Sequence, residues 1–322
     1  MSIIEQAAKR LEELRRAGIN VTAPPLAVPR VPVEPAARAG IPENLPPVMA
    51  AAPAPAIPPA AAPTAQVVAA PPVAPQSAAP RRSREVYLDL ARLEREGYLV
   101  PSQARSQLAE QMRIIKRPLL ANARGETAQP IQRPNLIQVV SAMPGEGKTF
   151  FAMNLAMSIA MEVDYSVLLV DADVLRPSVL ARYGIEPAHG LMDVLSSPTL
   201  DLADVLLRTN VNKLSLLPAG TAHLQSTEML ASTAMEELLD ELAAKYSDRI
   251  ILFDAPPLIP TTESRVLASR VGQVVMVVEA DHTTHAQVTQ AYAAVEQCPV
   301  VLSVLNKCHN RSTETYGYYN AS

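Results

Sequence analysis

Residues 136–150 read LIQVVSAMPGEGKTF and carry the strongest indication of fold in this sequence. The run Leu136–Val140 is strand-like, and Phe150–Ala160 continues with a helical pattern. Between them, AMPGEGKT at 142–149 has the composition of a phosphate-binding P-loop, although Ala142 stands where the pattern has its first glycine. A glycine turn that contains a lysine by chance would not need a strand before it and a helix after it, so we interpret the stretch as a P-loop.

Each position of the loop has a role in binding ATP. Gly145 and Gly147 allow backbone N–H groups to turn towards phosphate oxygens, and the following helix adds its positive N-terminal end. Lys148 can reach the β- and γ-phosphates, and Thr149 can ligate Mg²⁺. ATP and Mg²⁺ are therefore the expected ligands, with these residues of the loop in contact with ATP: Pro144, Gly145, Glu146, Gly147, Lys148, Thr149 and Phe150.

Two other apolar strands run directly into acidic residues. Ser166–Val170 is followed by Asp171 and Asp173, and Arg249–Phe253 is followed by Asp254. Because parallel strands end on one edge of a sheet, we expect the three carboxylates to converge on the phosphates. A dinucleotide-binding fold would place the first of them on a ribose hydroxyl. That fold predicts a G-x-G-x-x-G pattern and gives no role to the lysine of the loop.

Strand and helix patterns alternate along the rest of the chain. Further strands are expected at Lys213–Leu217, Gln273–Glu279 and Val300–Leu305, and helices over 228–246 and 284–296. Apolar strands that alternate with helices imply a parallel sheet buried on both faces. The expected fold is α/β, a P-loop NTPase fold with a mainly parallel central sheet flanked by helices.

Composition divides the chain into four parts. Residues 1–20 have the pattern of a short amphipathic helix, and 21–82 hold 17 of the 30 prolines, as in a disordered Pro/Ala-rich linker. Residues 83–308 are globular in pattern, and 309–322 form a flexible tail. The N-terminal helix could be solvated, associate with a second copy or grip a partner. Its mixed charges make a membrane-surface helix the weaker alternative.

The globular part is expected to begin with two helices, over 86–101 and 106–123, and Tyr87 and Tyr98 of the first are expected to pack.

Charge and cysteine content narrow the function further. The net charge of −4 gives no electrostatic basis for binding nucleic acid. Cys298 and Cys308 lack the number and spacing of a disulfide framework or a zinc site, which is typical of a reduced, cytoplasmic protein. No apolar run is long enough to span a bilayer, so no direct membrane span is expected.

MPGEGKT, VLLVDAD and ILFDAPP follow one another in the order found in the BY-kinases, the bacterial protein-tyrosine kinases of exopolysaccharide assembly, and the chain resembles this family. The resemblance covers about residues 85–322 and includes LLPAG at 216–220 and TEMLAS at 227–232. The N-terminal residues with their linker are similar to tyrosine autokinases linked to exosortase-type loci. The resemblance implies an ATP-dependent, non-receptor protein-tyrosine autokinase that regulates exopolysaccharide polymerisation and export.

The resemblance also implies roles for individual residues. Asp173 and Asp254 would organise Mg²⁺, partly through water, and Asp171 would be the base that faces the acceptor tyrosine. Lys148 would complete the catalytic set. The family usually carries an arginine two residues after the second aspartate of this motif, and this sequence has Leu175 there. Arg176 follows and is the candidate to contact the phosphates.

Assembly is implied by the resemblance alone. The family has an E-x-x-R-x-x-R helix that builds a ring, and Glu110, Arg113 and Lys116 take those places here. From the residues themselves, Glu110 and Arg113 are only an i,i+3 ion pair. The family further implies a homo-oligomer and an activating partner, a chain-length-determinant-type inner-membrane protein that would recruit the kinase to the inner face of the cytoplasmic membrane.

Three tyrosines, Tyr316, Tyr318 and Tyr319, crowd the last seven residues, where no hydrophobic periodicity would bury them. The tail is either a plain polar tail or the autophosphorylation site, modified between subunits. The last strand ends on the edge of the P-loop, so the tail would begin beside the nucleotide. Asn306, at the end of that strand, is by position a candidate for the adenine.

Two other functions remain open on the sequence. A partition-type switch ATPase of the same fold would carry a second lysine just after the first loop glycine, and Met143 stands in that place. A nucleotide-binding scaffold without transfer activity would keep the same loop, because binding and catalysis use the same residues.

Overall fold

The computed structural model describes residues 84–127, 129–197, 199–245 and 248–308. The helix expected over 1–20, the linker over 21–82 and the tail over 309–322 lie outside the described residues, and these assignments stay predictions.

An eight-stranded sheet organises the described residues. Its strands are β1 (Arg84–Val86), β2 (Leu136–Ser141), β3 (Ser166–Asp171), β4 (Leu207–Thr209), β5 (Leu214–Leu217), β6 (Arg249–Asp254), β7 (Gln273–Glu279) and β8 (Val300–Asn306). They lie in the order β1-β4-β5-β3-β6-β2-β7-β8, and all neighbours are parallel except β4 and β5. The predicted mainly parallel α/β sheet is confirmed. The strands β1 and β4, which the sequence did not predict, run opposite to the others.

Ten helices accompany the sheet in the described part of the chain. They are α1 (Leu90–Arg95), α2 (Gln107–Ala123), α3 (Lys148–Ala160), α4 (Val179–Tyr183), α5 (Leu191–Ser196), α6 (Leu202–Val205), α7 (Ser226–Leu230), α8 (Thr233–Lys245), α9 (Glu263–Ala268) and α10 (His285–Ala294). A short 3₁₀ turn, Pro101–Gln103, precedes α2.

Helices cover both faces of the sheet. Along β2, Ile137 and Val139 belong to the apolar cluster that includes α2 and α3, and Leu136 and Val140 belong to the cluster that includes α8 and α9. Because successive side chains of a strand point to opposite faces, a run that is apolar throughout must be covered on both. The central strands are therefore held rigidly, and they place the loops at their ends.

Two helix predictions were wrong in extent. The first expected helix, over 86–101, is only α1, because Val86 belongs to β1, Asp89 caps the N-terminus of α1, and Gly97 leaves the helical conformation at φ +84°. The single helix expected over 228–246 is divided into α7 and α8. The Ser232 hydroxyl accepts a hydrogen bond from the Met235 N–H, which begins a new helix there.

Candidate active site

The predicted loop joins β2 to α3, and its two glycines adopt conformations that other residues rarely take. Gly145 lies at φ +92° and Gly147 at φ +95°. Gly147 is also the N-cap residue of α3, so the positive end of this helix faces the loop. A β-carbon on Gly147 would lie 2.2 Å from Asn306 Nδ2. Glycine is therefore required at 147 by backbone conformation, and a β-carbon there would displace the Asn306 amide that holds the loop.

Glu146 supports the loop from within. Its side chain is buried, and Oε2 accepts a hydrogen bond from the Met143 N–H at 2.8 Å. Oε1 accepts a hydrogen bond from the Thr283 hydroxyl. The carboxylate of Glu146 is thus used to shape the loop, and only its backbone remains for a phosphate.

The end of β8 holds the loop from the other side. Asn306 Nδ2 donates to the carbonyl of Glu146 at 2.8 Å, and Lys307 Nζ donates to the carbonyl of Gly145 at 2.8 Å. Lys307 also pairs with Glu279 at 3.0 Å. Asn306, expected near the adenine from its position, has its amide N–H engaged with the loop and is not among the residues that line the cleft described below.

Lys148 lies among the acids that end β3 and β6. Its ammonium is 2.8 Å from Asp173 Oδ2 and 3.7 Å from Asp254 Oδ1. Asp171 and Asp254 are register partners on the neighbouring strands. The structure therefore brings together the lysine and the three carboxylates that the sequence singled out.

Asp254 is fully buried, and neither carboxylate oxygen has a hydrogen-bond partner. Burial raises the pKa of this carboxyl above its usual range, while the Lys148 ammonium and the nearby Thr149 hydroxyl, which lies outside good hydrogen-bond geometry, oppose the shift. A buried carboxylate without donors is costly unless another group satisfies it. The water shell of a Mg²⁺ ion held by the Thr149 hydroxyl would supply such donors, so the residues present fit this ion.

Asp171 is held at the start of α4. Its Oδ2 accepts hydrogen bonds from the N–H groups of Ser178 at 2.9 Å and Val179 at 3.0 Å. Burial, together with the charge of Asp254, raises the pKa of Asp171 to about 7, although the two backbone N–H groups oppose the shift. A carboxyl with a pKa near neutrality is suited to accept a proton at physiological pH.

A cleft of about 470 Å³ opens over the loop. It is lined by the following residues predicted from the sequence: Pro144, Gly145, Gly147, Lys148, Thr149, Phe150, Asp173 and Arg176. Other lining residues were not predicted: Leu175, Ser178, Arg182, Pro256, Pro257, Pro260 and Thr261.

Arg182 is the most informative of the lining residues that the sequence missed. Its guanidinium donates to the Tyr98 hydroxyl at 3.0 Å, and the Tyr98 ring packs on Phe150 with the centroids 5.0 Å apart. Arg182 thus presents a positioned positive charge to the cleft. A helical hydrophobic period after Asp173 would have indicated that Arg182 lies on a helix near the cleft, but α4 is too short to show one.

The residues expected to mediate assembly lie on α2, away from the cleft. Glu110 and Arg113 form an ion pair, and Arg113 also donates to the Ala104 carbonyl at 3.0 Å. Lys116 is only 4% exposed, and its ammonium contacts the Ser158 carbonyl and the Glu162 carboxylate, both at 2.6 Å. Lys116 is thus already engaged within its own chain, and the roles in assembly stay predictions. Tyr316, Tyr318 and Tyr319 lie outside the described residues.

The sheet, the loop and the acids at the strand ends define a P-loop NTPase, and the family model of the AAA domain matches residues 135–303, slightly more than half of the chain. Tyrosine-protein kinase YwqD of Bacillus subtilis is 29% identical over 220 residues, 68% of this chain and 89% of YwqD. Tyrosine-protein kinase CpsD of Streptococcus agalactiae is 30% identical over 189 residues, 57% of this chain and 80% of CpsD. The chain belongs to the AAA domain family and, within it, to the bacterial tyrosine-protein kinases of exopolysaccharide biosynthesis.

Longer relatives are matched over only part of their length, and solved structures share the fold. Tyrosine-protein kinase wzc of Salmonella typhimurium is 26% identical over 189 residues, and the match covers 58% of this chain but only 26% of wzc. The kinase domain of Escherichia coli tyrosine kinase ETK has a TM-score of 0.55 at 21% identity, covering 74% of this chain and 94% of that domain. The structural likeness establishes the fold. Within the described residues, no helix combines the length and apolar character needed to cross a membrane.

Proposed function

We propose that this tyrosine-protein kinase uses ATP and Mg²⁺ to phosphorylate Tyr316, Tyr318 and Tyr319 in the tail of a neighbouring subunit, and so regulates exopolysaccharide polymerisation and export. The observation that carries the proposal is the position of Lys148. Its ammonium lies at the start of α3, between two buried carboxylates, where the phosphates of a nucleotide would meet it.

The phosphate and metal sites follow from the same geometry. Backbone N–H groups of the loop and the Lys148 ammonium would bind the β- and γ-phosphates, with Arg176 and Arg182 at the rim of the cleft. Thr149 would ligate Mg²⁺, and Asp173 and Asp254 would hold its waters. When bound, this ion neutralises phosphate charge and orients the γ-phosphate.

Transfer requires the acceptor oxygen to attack the γ-phosphorus while the bond to the β-phosphate oxygen breaks and ADP leaves. Asp171 would take the phenolic proton, because it ends the strand next to Asp254 and titrates near neutrality. In a loose transition state the base mainly orients the hydroxyl and accepts the proton late. Ionising a free tyrosine at pH 7 costs about 4 kcal/mol, so late proton transfer suffices.

The route between subunits is supported by the position of β8. This strand ends at Asn306 beside the P-loop, and Tyr316 follows ten residues later. An extended segment of that length reaches about 35 Å, which is ample for the site of a neighbour. Each phosphotyrosine would carry nearly two negative charges and would be repelled by the aspartates, releasing the tail.

Assembly and recruitment complete the proposal. Glu110 and Arg113 on α2 would contact the next subunit of a homo-oligomeric ring, and Lys116 would act indirectly by anchoring α2 to Glu162. A chain-length-determinant-type inner-membrane protein would activate the cytoplasmic kinase and recruit it to the membrane.

The decisive experiment mixes two versions of the full chain. Lys148→Met chains with an intact tail are incubated with ATP, Mg²⁺ and active chains whose Tyr316, Tyr318 and Tyr319 are Phe. We expect phosphotyrosine on the Lys148→Met chain, and none when that variant is incubated alone. Lys245→Met, which removes a surface lysine paired with Glu241, is the matched control and should stay active.

The possible results separate the candidate functions. Label on wild type alone, with none on the Lys148→Met chain in the mixture, would restrict transfer to each chain's own tail. Nucleotide binding or hydrolysis without any phosphotyrosine would instead support the switch ATPase or the scaffold.

A further inference from the structure

We propose that Tyr87 is a second phosphate acceptor, phosphorylated by the active site of another copy of this chain. The inference rests on the proposed function, because it requires that the chain transfers phosphate between copies. It is independent of the tail, since Tyr87 lies at the start of the globular part, directly after β1.

Tyr87 differs from the other tyrosines of the described structure in its accessibility. Tyr98, Tyr165 and Tyr183 are each less than a tenth exposed, and Tyr183 is buried among the helices beside the cleft. Tyr292 is 39% exposed, and its hydroxyl shares a hydrogen bond with a serine of β8. Tyr87 is 79% exposed. A kinase can modify only a hydroxyl that enters its cleft, and Tyr87 is the one of these five whose side chain is mostly exposed.

The exposure of Tyr87 is fixed by its neighbours. Val86 packs against the core from β1, and Leu88 is completely buried. The backbone of Leu88 is held on both sides by Asn210, whose side chain accepts from its N–H at 2.8 Å and donates to its carbonyl at 3.1 Å. In an extended segment successive side chains point in opposite directions, so two inward neighbours hold Tyr87 outward.

The flanking charges resemble those of the tail. Glu85 lies two residues before Tyr87, and Glu314 lies two residues before Tyr316, so the chain contains E-V-Y at one end and E-T-Y at the other. Asp89 follows Tyr87 by two residues and is exposed like Glu85. A site that accepts one Glu-x-Tyr segment has the chemistry to accept the other.

The cleft of a second copy offers the complementary charge. Arg182 lines it and is exposed, so the part of its guanidinium that does not donate to Tyr98 can meet acidic residues that flank an incoming tyrosine. Opposite charges at such a rim favour the encounter and select its orientation.

The sheet topology excludes transfer within one copy. Val86 pairs with Thr209, and the registers of β4 with β5 and of β5 with β3 place it level with Val167. Asp171 lies four residues further along β3, and three strand spacings separate the two positions across the sheet. At about 4.8 Å per strand and 3.3 Å per residue the separation is about 20 Å, far beyond the length of a tyrosine side chain. Tyr87 can therefore be modified only by another copy.

The chemical step is the one proposed for the tail. The Tyr87 oxygen forms a bond to the γ-phosphorus of ATP, the bond from that phosphorus to the β-phosphate oxygen breaks, and ADP leaves. The phenolic proton goes to Asp171 of the copy that binds the ATP.

A single tryptic digest measures phosphorylation at both Tyr87 and the tail. Affinity-tagged, full-length Lys148→Met chain is incubated with active wild-type chain, ATP and Mg²⁺, then repurified and digested with trypsin. Cleavage after Arg84 and Arg92 gives a peptide whose one tyrosine is Tyr87, and cleavage after Arg311 gives the tail peptide. Mass spectrometry is expected to find phosphate on both peptides of the tagged chain.

Two variants of the tagged chain sharpen the result. Tyr87→Phe should remove the phosphate from the first peptide and leave the tail peptide unchanged. Glu85→Gln should lower phosphorylation of Tyr87 several-fold, again with the tail unchanged, because it removes one charge that meets Arg182 of the cleft. A phosphorylated tail with an unmodified Tyr87 would overturn the inference and leave the proposed function intact. Absence of phosphate from both peptides would overturn transfer between copies altogether.

Discussion

The replacement Asp254→Asn is expected to stabilise the protein without ligand and to remove its response to nucleotide. Asp254 is buried, and its carboxylate has no hydrogen-bond donor. The attraction to Lys148 at 3.7 Å corresponds to about 4 kcal/mol at an effective dielectric constant of 20. Two carboxylates, Asp171 and Asp173, lie on the same sheet edge, and each repels Asp254 by about 3 kcal/mol at a separation of about 5–6 Å.

Repulsion therefore outweighs attraction by about 2 kcal/mol, and the desolvation cost of an unsatisfied carboxylate adds to this difference. That cost is about 1–3 kcal/mol, and an uncharged amide recovers much of it. For a domain of this size each 1 kcal/mol corresponds to about 2–4 °C in Tm. We expect the Tm of Asp254→Asn without ligand to exceed that of wild type by about 2–8 °C.

Thermal unfolding with and without ATP and Mg²⁺ provides the assay. Wild type should gain about 2.7 kcal/mol at a ligand concentration of 100 Kd, whereas the variant should gain little. Asp281→Asn removes the same charge from an exposed residue at φ +59°, a conformation that asparagine tolerates, and should change neither value. A loss of stability in ligand-free Asp254→Asn would refute the reasoning, because it would show that the carboxylate has favourable partners in the absence of metal.

Two further predictions concern the proton and the assembly. The raised pKa of Asp171 means that protonated Asp171 stabilises the folded state, and this stabilisation is complete below about pH 4 and is lost as pH rises through about 7. The Tm of ligand-free wild type should therefore fall relative to that of Asp171→Asn between pH 5 and pH 8. Plots of Tm against pH that run parallel for the two proteins would contradict the pKa shift. In sedimentation, the double variant Glu110→Ala with Arg113→Ala should shift oligomers towards monomers, while the control double variant Glu241→Ala with Lys245→Ala should not. An unchanged size distribution for the first double variant would exclude this part of α2 from the interface.

The sequence predicted the centre of the sheet because its strands are mostly apolar on both faces. Leu136–Ser141 and Arg249–Asp254 are buried on both faces, and each ends at a loop whose polar residues stand out against the run before it. The sequence also predicted the meeting of Lys148 with the acids, since parallel strands share one active edge. Both inferences need only the hydrophobic pattern of the strands and the parallel direction in which the strands run.

The edge of the sheet could not be predicted in the same way. The strands β1 and β4 have three residues each, which is too short for an alternating pattern. Residues 86–89 were therefore expected to begin a helix and Tyr87 to pack, whereas the pairing of Arg84–Val86 with β4 leaves Tyr87 exposed. Tyr98, expected to pack, is buried.

The loop itself shows where local sequence is insufficient. The pattern of residues 142–149 identifies a phosphate site, but its shape depends on partners far along the chain. Thr283 holds the Glu146 side chain, and Asn306 and Lys307 hold two carbonyls of the loop. Because Gly147 leaves no room for a β-carbon beside Asn306, β8 and the loop must fit each other closely. Two of the residues that shape the phosphate site, Asn306 and Lys307, are thus the last residue of β8 and the residue that follows it, so this end of the strand is fixed at the active edge.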